Sequence, residues 1–214
     1  MTTESHASRV FAIIPAAGHS RRMGSPKLLL PWREGTVIDE VLSAWTGSQV
    51  TRTIIIVRSD DHALQTACSR WPVDVVRPDH APADMIASIQ AGLRHIADHH
   101  HPSDLDRWMV APADLPTLTT EAIDFVVESS DAHQPSRIVV PVYGEKRGHP
   151  VLLPWAISGK VLAAPPGRGL DYVISNESPR FISRPRELRP VDMDTLREYE
   201  ELVRVREQAD SSDS

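Results

Sequence analysis

The feature that most constrains this chain is the junction, near its start, between an apolar strand and a loop of small residues. Val10 to Ile14 forms an apolar run that stops at Pro15 and opens into Ala16-Ala17-Gly18-His19-Ser20-Arg21-Arg22-Met23-Gly24-Ser25-Pro26-Lys27. Small side chains let a backbone approach a bulky anion closely, and Gly18 and Gly24 can take positive φ without a steric cost. Successive N–H groups in such a loop cradle phosphate, and Arg21, Arg22 and Lys27 add fixed positive charge. The pattern lacks the Gly-Lys-Ser/Thr of a Walker A loop and the spacing of G-x-G-x-x-G. It reads as a strand followed by a triphosphate-binding loop; the plainer alternative is a glycine-containing turn with surface arginines.

The rest of the first half repeats the strand–helix theme. Val37–Trp45 reads as a helix, with Val37, Ile38, Val41 and Leu42 on one side. Thr53–Val57 is a β-branched run that reads as a strand. Asp60–Ser69 reads as helix and Val73–Val76 as a short strand. Between Ala83 and Asp98, Met85, Ile86, Ile89, Leu93 and Ile96 recur at helical spacing. Trp108–Ala111 is a strand ending in Pro112-Ala113-Asp114-Leu115-Pro116, and Thr119 is placed to cap the helix that follows. Such alternation predicts an α/β fold: a Rossmann-like three-layer αβα sandwich around a mostly parallel sheet. Ligands in these sheets bind beyond the carboxyl ends of the strands, which puts the Ala16–Lys27 loop and the Asp114 loop on one rim. After Ile138 short β-like pieces (Ile138–Val142, Val151–Leu153) flank the loop Gly144–Pro150, and prolines become frequent; this reads as a small β insertion. A last helix is expected over Thr195–Val205.

The 214 residues suit one domain. The boundaries read as a flexible N-terminus over 1–8, the domain over 9–207 and a disordered acidic, serine-rich tail over 208–214. A chain this long buries about 70% of its unfolded surface and needs no disulfide. Its lone cysteine, Cys68, excludes an internal disulfide framework and reads as a small packed residue. A polar start and the lack of a long apolar stretch point to a cytoplasmic protein with no membrane partner. The formal net charge of −6 argues against nucleic-acid binding but leaves room for a nucleotide in a locally positive cleft. The run His99-His100-His101 reads as a solvated helix end rather than a metal site, since three consecutive positions do not share a helix face.

The loop Ala16–Lys27 resembles the signature of the MobA-like nucleotidyltransferases. More specifically it is similar to the molybdenum cofactor cytidylyltransferase (MocA-like) branch, A-A-G-x-S-x-R-M-G-x-x-K, and it matches every fixed position. The resemblance implies a fold of the nucleotide-diphospho-sugar transferase type. It implies an Mg2+-dependent enzyme that moves a nucleotidyl group, CMP from CTP in this branch, onto a phosphorylated acceptor and releases pyrophosphate. Molybdopterin would be the acceptor, and a molybdoenzyme a further partner. Ala16, Ala17, Gly18, Ser20, Arg22, Met23, Gly24, Lys27 and Ser88 would bind the nucleotide. Arg22, Lys27 and Asp114 would carry catalysis, Arg22 as a fork on the β- and γ-phosphates and Lys27 near the α-phosphate.

Three later segments carry further parts of the resemblance. Ala113-Asp114-Leu115-Pro116 is similar to the family's metal-binding segment. Val191-Asp192-Met193-Asp194-Thr195 resembles its closing D-x-D-T-P-E-D, with Leu196 in place of the proline. Asp194 has an ordinary explanation as the cap of the last helix, so Asp192 is the candidate to complete the metal site with Asp114. Gly148-His149-Pro150 matches the family's G-H-P, which implies an acceptor-side role for His149; a turn histidine beside a proline is the alternative. Two elements depart from the family. Asp84-Met85-Ile86-Ala87-Ser88 replaces G-M-S-S-S, and Gly167-Arg168-Gly169-Leu170-Asp171 replaces G-D-x-G-A-R. A carboxylate at Asp84 facing an anionic substrate would be unfavourable. That departure leaves two further readings open: a non-catalytic nucleotide or pterin chaperone, and a transferase with another phosphorylated acceptor.

Overall fold

A computed structural model describes residues 8–19, 23–130, 136–165 and 167–212. After β1 (Val10–Pro15), a hairpin of β2 (Pro31–Trp32) and β3 (Gly35–Thr36) leads into α1 (Val37–Thr46). Then β4 (Arg52–Ile56), α2 (His62–Cys68), β5 (Asp74–Val76), α3 (Met85–His100), β6 (Arg107–Val110) and α4 (Thr120–Glu128) alternate. The second half adds β7 (Val139–Tyr143), β8 (Lys146–Arg147), β9 (Val151–Pro154), α5 (Ser158–Leu162), α6 (Leu170–Ser175), β10 (Arg180–Arg184) and α7 (Leu196–Ser212).

The main sheet has the order β10-β7-β9-β6-β1-β4-β5, with β8 paired to β7. β4 and β6 flank β1 in parallel, β5 continues in parallel beyond β4, and β9 is antiparallel to β6 and β7. The chain moves outward from β1 through β4 to β5, then crosses back over α3 to place β6 on the other side of β1. The carboxyl ends of β1 and β6 are therefore a switch point, where diverging loops leave a crevice. The β pieces after Ile138 are strands of this same sheet, which they extend past β6. The last helix runs past Val205 to Ser212, so the segment from Gln208 read as a tail is helical over most of its length. Residues 1–7, from the expected flexible start, lie outside the described residues.

Every residue of β1 is buried, which is why it shows no alternation in sequence. Its side chains still divide between two cores. Ala12 and Ile14 join the cluster with α1, α2 and α4, while Phe11 and Ile13 join the cluster with α3, α5 and α6. Helices on both faces make the three-layer sandwich. Asp39 closes a capping box on Thr36, and Thr119 accepts from the Ala122 N–H at 3.2 Å, the cap expected from sequence. Cys68 is fully buried at the end of α2, and burial pushes its thiol up to about 12, so it is an inert packing residue.

α3 reaches from the switch point across β1 and β4 because Gly92 removes a side chain at the crossing. A Cβ there would lie 2.8 Å from Ile13 Cγ2 and 3.2 Å from Ile56 Cδ1, both in fully buried side chains. We expect Gly92→Val to lower stability by about 2–3 kcal/mol through overpacking, outweighing its small gain in helix propensity. Urea denaturation checks this: an unchanged midpoint would show that the helix shifts freely on the sheet.

Candidate functional site

Two chain crossings build the site at the switch point. The Ala16 N–H donates to Ile56 O at 2.9 Å and the Ala113 N–H donates to Pro15 O at 3.1 Å. These bonds hold the loops that follow β1 and β6 side by side. They border a cleft of about 510 Å³ whose walls include Ala16, Ala17, Gly18, Lys27, Asp84, Ser88, Asp114 and Asp194.

In the first loop, Gly24 takes φ +65°, the left-handed region that favours glycine, whereas Gly18 does not. The turn at Gly24 and a single 3-10 turn over Lys27–Leu29 aim the Lys27 side chain back at the sheet end. Its ammonium reaches Asp114 Oδ2 at 2.6 Å, Met193 O at 3.0 Å and Asp194 Oδ1 at 3.2 Å, using all three donors. Ser20 and Arg22, expected in the nucleotide site, lie outside the described residues; Met23 begins the turn just beyond them.

Asp114 is fixed through its backbone as well, since its carbonyl accepts from the Met193 N–H at 3.2 Å. Met193 is fully buried and serves as the peg that seats the closing segment against the Asp114 loop. The other carboxylate oxygen, Asp114 Oδ1, is buried and has no hydrogen-bond partner among the described residues. Leaving a carboxylate oxygen buried without a donor is costly unless a cation or ligand group meets it.

The second acidic residue at this cluster is Asp194, not Asp192. Asp192 is exposed, lies outside the cleft wall and has His149 as a charge neighbour. The sequence reading assigned Asp194 to capping, but the cap belongs to Thr195 and Glu198. Glu198 Oε2 accepts from the Asp194 N–H (2.9 Å), the Thr195 N–H (2.8 Å) and the Thr195 hydroxyl (2.9 Å). The Thr195 hydroxyl in turn accepts from the Glu198 N–H at 3.3 Å. This capping box relieves the Asp194 carboxylate of helix duty and turns it to Lys27. Thr195-x-x-Glu198 stands plainly in the sequence and was the signal that separates the two aspartates.

Asp84 and Ser88 enter from α3. The Asp84 carboxylate accepts from the Ala87 N–H at 2.9 Å and caps that helix. The helix N-terminus offsets part of its charge, while the residue stays in the cleft wall. Arg58, just beyond the end of β4, donates to Gly18 O at 3.3 Å and holds the first loop in place. Sequence reading missed it; the available clue was a cation at the carboxyl end of the strand beside β1.

His149 lies against the end of β6, with Nδ1 at 3.4 Å from Val110 O, and is not part of the cleft wall. Burial pushes its pKa down, outweighing the Val110 carbonyl and the aspartates nearby, so the ring is neutral at pH 7. Gly148 packs so closely on Tyr143 that a Cβ would meet the ring at 2.6 Å, and the Tyr143 hydroxyl donates to His149 O at 3.2 Å. The Gly148-His149-Pro150 segment is a packed corner supporting β6.

Chemically, the cluster has one ammonium facing two carboxylates and so is net negative. A triphosphate needs a further cation there. The donors are all oxygen, Asp114 Oδ1 is unmet and a cation already occupies the space between the carboxylates. Asp114 and Asp194 therefore fit a hard divalent ion that takes one or two carboxylates together with substrate oxygens.

The sequence matches the MobA-like NTP transferase domain over residues 12–181. A probable molybdenum cofactor guanylyltransferase of Bacillus mycoides (strain KBAB4) is 25% identical over 140 residues, and the matched stretch spans 65% of this chain and 65% of that relative. A molybdenum cofactor cytidylyltransferase of Escherichia coli (strain K12) is 26% identical over 149 residues, 68% of this chain and 70% of the relative. Among solved structures, a Mycobacterium tuberculosis H37Rv protein superposes with a TM-score of 0.76 at 21% identity, covering 92% of this chain and 99% of that one. A manganese complex of the same mycobacterial protein gives a TM-score of 0.73 at 20% identity over 92% and 99% of the two chains. The fold is shared with these structures, and the match over most of its length places the chain in the MobA-like NTP transferase family.

Proposed function

We propose that this protein is a divalent-metal-dependent nucleotidyltransferase that transfers CMP from CTP to the phosphate of molybdopterin and releases pyrophosphate. The observation that carries the reading is the Lys27–Asp114–Asp194 cluster at the switch point, with its unmet Asp114 oxygen. The relatives named as molybdenum cofactor guanylyl- and cytidylyltransferases support the acceptor class.

An acceptor phosphate is already ionised, so its oxygen attacks the α-phosphate without a general base. Catalysis then rests on placing the two phosphates and offsetting their charge. A divalent cation, Mg2+ or Mn2+, held by Asp114 and Asp194 would polarise the transferring phosphoryl group. Lys27 supplies a charge that shifts from its carboxylate partners to the phosphates, and Arg22 grips the β- and γ-phosphates as a planar fork. The first loop carries Ala-Ala-Gly at Ala16–Gly18. In the resemblance to the cytidylyltransferase branch this Ala-Ala-Gly goes with cytosine, and it supports CTP over GTP. The meeting of Lys27, Asp114 and Asp194 favours an enzyme over a non-catalytic chaperone, which has less need of metal-binding carboxylates. No helix among the described residues is long and apolar enough to cross a membrane, and we place the enzyme in the cytoplasm, where CTP is available.

Two outcomes follow. In a pyrophosphate-release assay with CTP and molybdopterin, Asp114→Asn and Asp194→Asn each lower kcat by about 10²–10³. Asp192→Asn stays within a few-fold of wild type; a loss at Asp192 with none at Asp194 overturns the site. In thermal unfolding with Mg2+, CTP at a hundredfold excess over its Kd adds about 2.7 kcal/mol of stability. GTP gives a clearly smaller shift, whereas an equal or larger shift with GTP overturns the base assignment.

A further inference from the structure

The other rim of the sheet carries a cluster that the cleft does not use. Asp74 opens β5 at the sheet edge, and His95 and His100 lie in the last turns of α3, whose first turn borders the cleft. Both imidazoles present Nε2 to one carboxylate oxygen: His95 at 3.3 Å and His100 at 2.7 Å from Asp74 Oδ2. The three ligand atoms all lie within 4.8 Å of one another. Each side chain is between 19% and 25% exposed, so the site is enclosed but open to an entering ion.

Neighbouring groups fix these rings. His99 stacks on His95 with centroids 4.2 Å apart, and its Nδ1 lies 3.0 Å from His95 O. His100 rests on Phe11 at 5.6 Å, and its carbonyl accepts from Arg9 at 3.0 Å. His101 ends the helix at φ 45°, and the negative end of the helix dipole faces the cluster. Burial raises the Asp74 pKa, but hydrogen bonds from His100 and His95 outweigh that and hold it below the usual carboxylate range. It is therefore an anion at neutral pH.

We propose that Asp74, His95 and His100 bind zinc, with water as the fourth ligand, in a clamp that ties edge strand β5 to the end of α3. Tetrahedral zinc with bonds of 2.0–2.2 Å sets its ligand atoms about 3.3 Å apart. The His95–Asp74 separation already has that value, His100 at 2.7 Å must move outward from Asp74, and the two imidazole nitrogens start within 4.8 Å of each other. Two imidazole nitrogens and one carboxylate suit a borderline first-row ion, whereas Mg2+ and Mn2+ prefer the all-oxygen set of the cleft. The two sites therefore select different metals. Of the three consecutive histidines His100 takes part, which departs from the reading of that run as a solvated helix end.

The test uses full-length, tag-free protein stripped of metal by chelator. Co2+ is the spectroscopic probe, and Zn2+ is then titrated in to displace it. Wild type is expected to bind one equivalent of Co2+ with a tetrahedral ligand-field spectrum that Zn2+ abolishes. His100→Gln and Asp74→Asn each weaken binding by at least about tenfold. His99→Gln keeps it, and far-ultraviolet circular dichroism verifies that each variant is folded. Zn2+ raises the thermal midpoint of wild type and His99→Gln but not of His100→Gln. Absence of saturable binding in wild type overturns the proposal, and so does equal affinity in folded His100→Gln, which would place the ion on other histidines.

Discussion

Three distant parts of the chain meet at one ammonium group. Lys27 comes from the loop after β1, Asp114 from the loop after β6, and Met193 and Asp194 from the segment before α7. A lysine between two carboxylates is held more firmly than in a lone surface pair, because each contact is both charged and hydrogen-bonded. The Met193 backbone bond to Asp114 and the burial of its side chain make the closing segment part of the site wall. α7 is then seated over the first loop's hairpin, with the Tyr199 hydroxyl donating to Pro31 O at 2.7 Å.

Among the described residues this cluster has more acid than base, which suits the proposed pairing of a cation with a polyanion. Asp114 Oδ1 is buried with no hydrogen-bond partner among the described residues, a local cost that a cation or substrate group would relieve. Such local costs gather where binding or catalysis occurs, because the rest of the fold is well enough packed to hold them in place. Here the support is the all-buried β1 and the Gly92 crossing of α3 beneath the loops.

The parallel sheet was legible because its strands are buried on both faces and appear as continuous apolar runs, as at Val10–Ile14 and Thr53–Val57. The family signature in the loop after β1 was legible because its residues are contiguous. What proved harder were features that depend on pairing across the chain. The strands after Ile138 are short and proline-flanked, so they looked like an insertion, yet β9 docks antiparallel on β6. Asp192 and Asp194 could be ranked only by asking which residue caps α7, and the Thr195–Glu198 box answers that. The cap that Asp84 places on α3 depends on its Ala87 hydrogen bond and was not read from the sequence. The Asp74–His95–His100 cluster joins a strand and a helix end, and no local spacing in the sequence announces it.

The central claim is that Asp114 and Asp194 hold the divalent ion of a nucleotide site around Lys27. Anomalous diffraction at the manganese edge, from crystals grown with Mn2+ and a non-hydrolysable CTP analogue, tests it most directly. The account predicts a peak bonded to carboxylate oxygens of Asp114 and Asp194, with Lys27 turned to the phosphates. A peak on Asp192, or nucleotide bound with Lys27 still closed on both aspartates and no ion beside them, would contradict it.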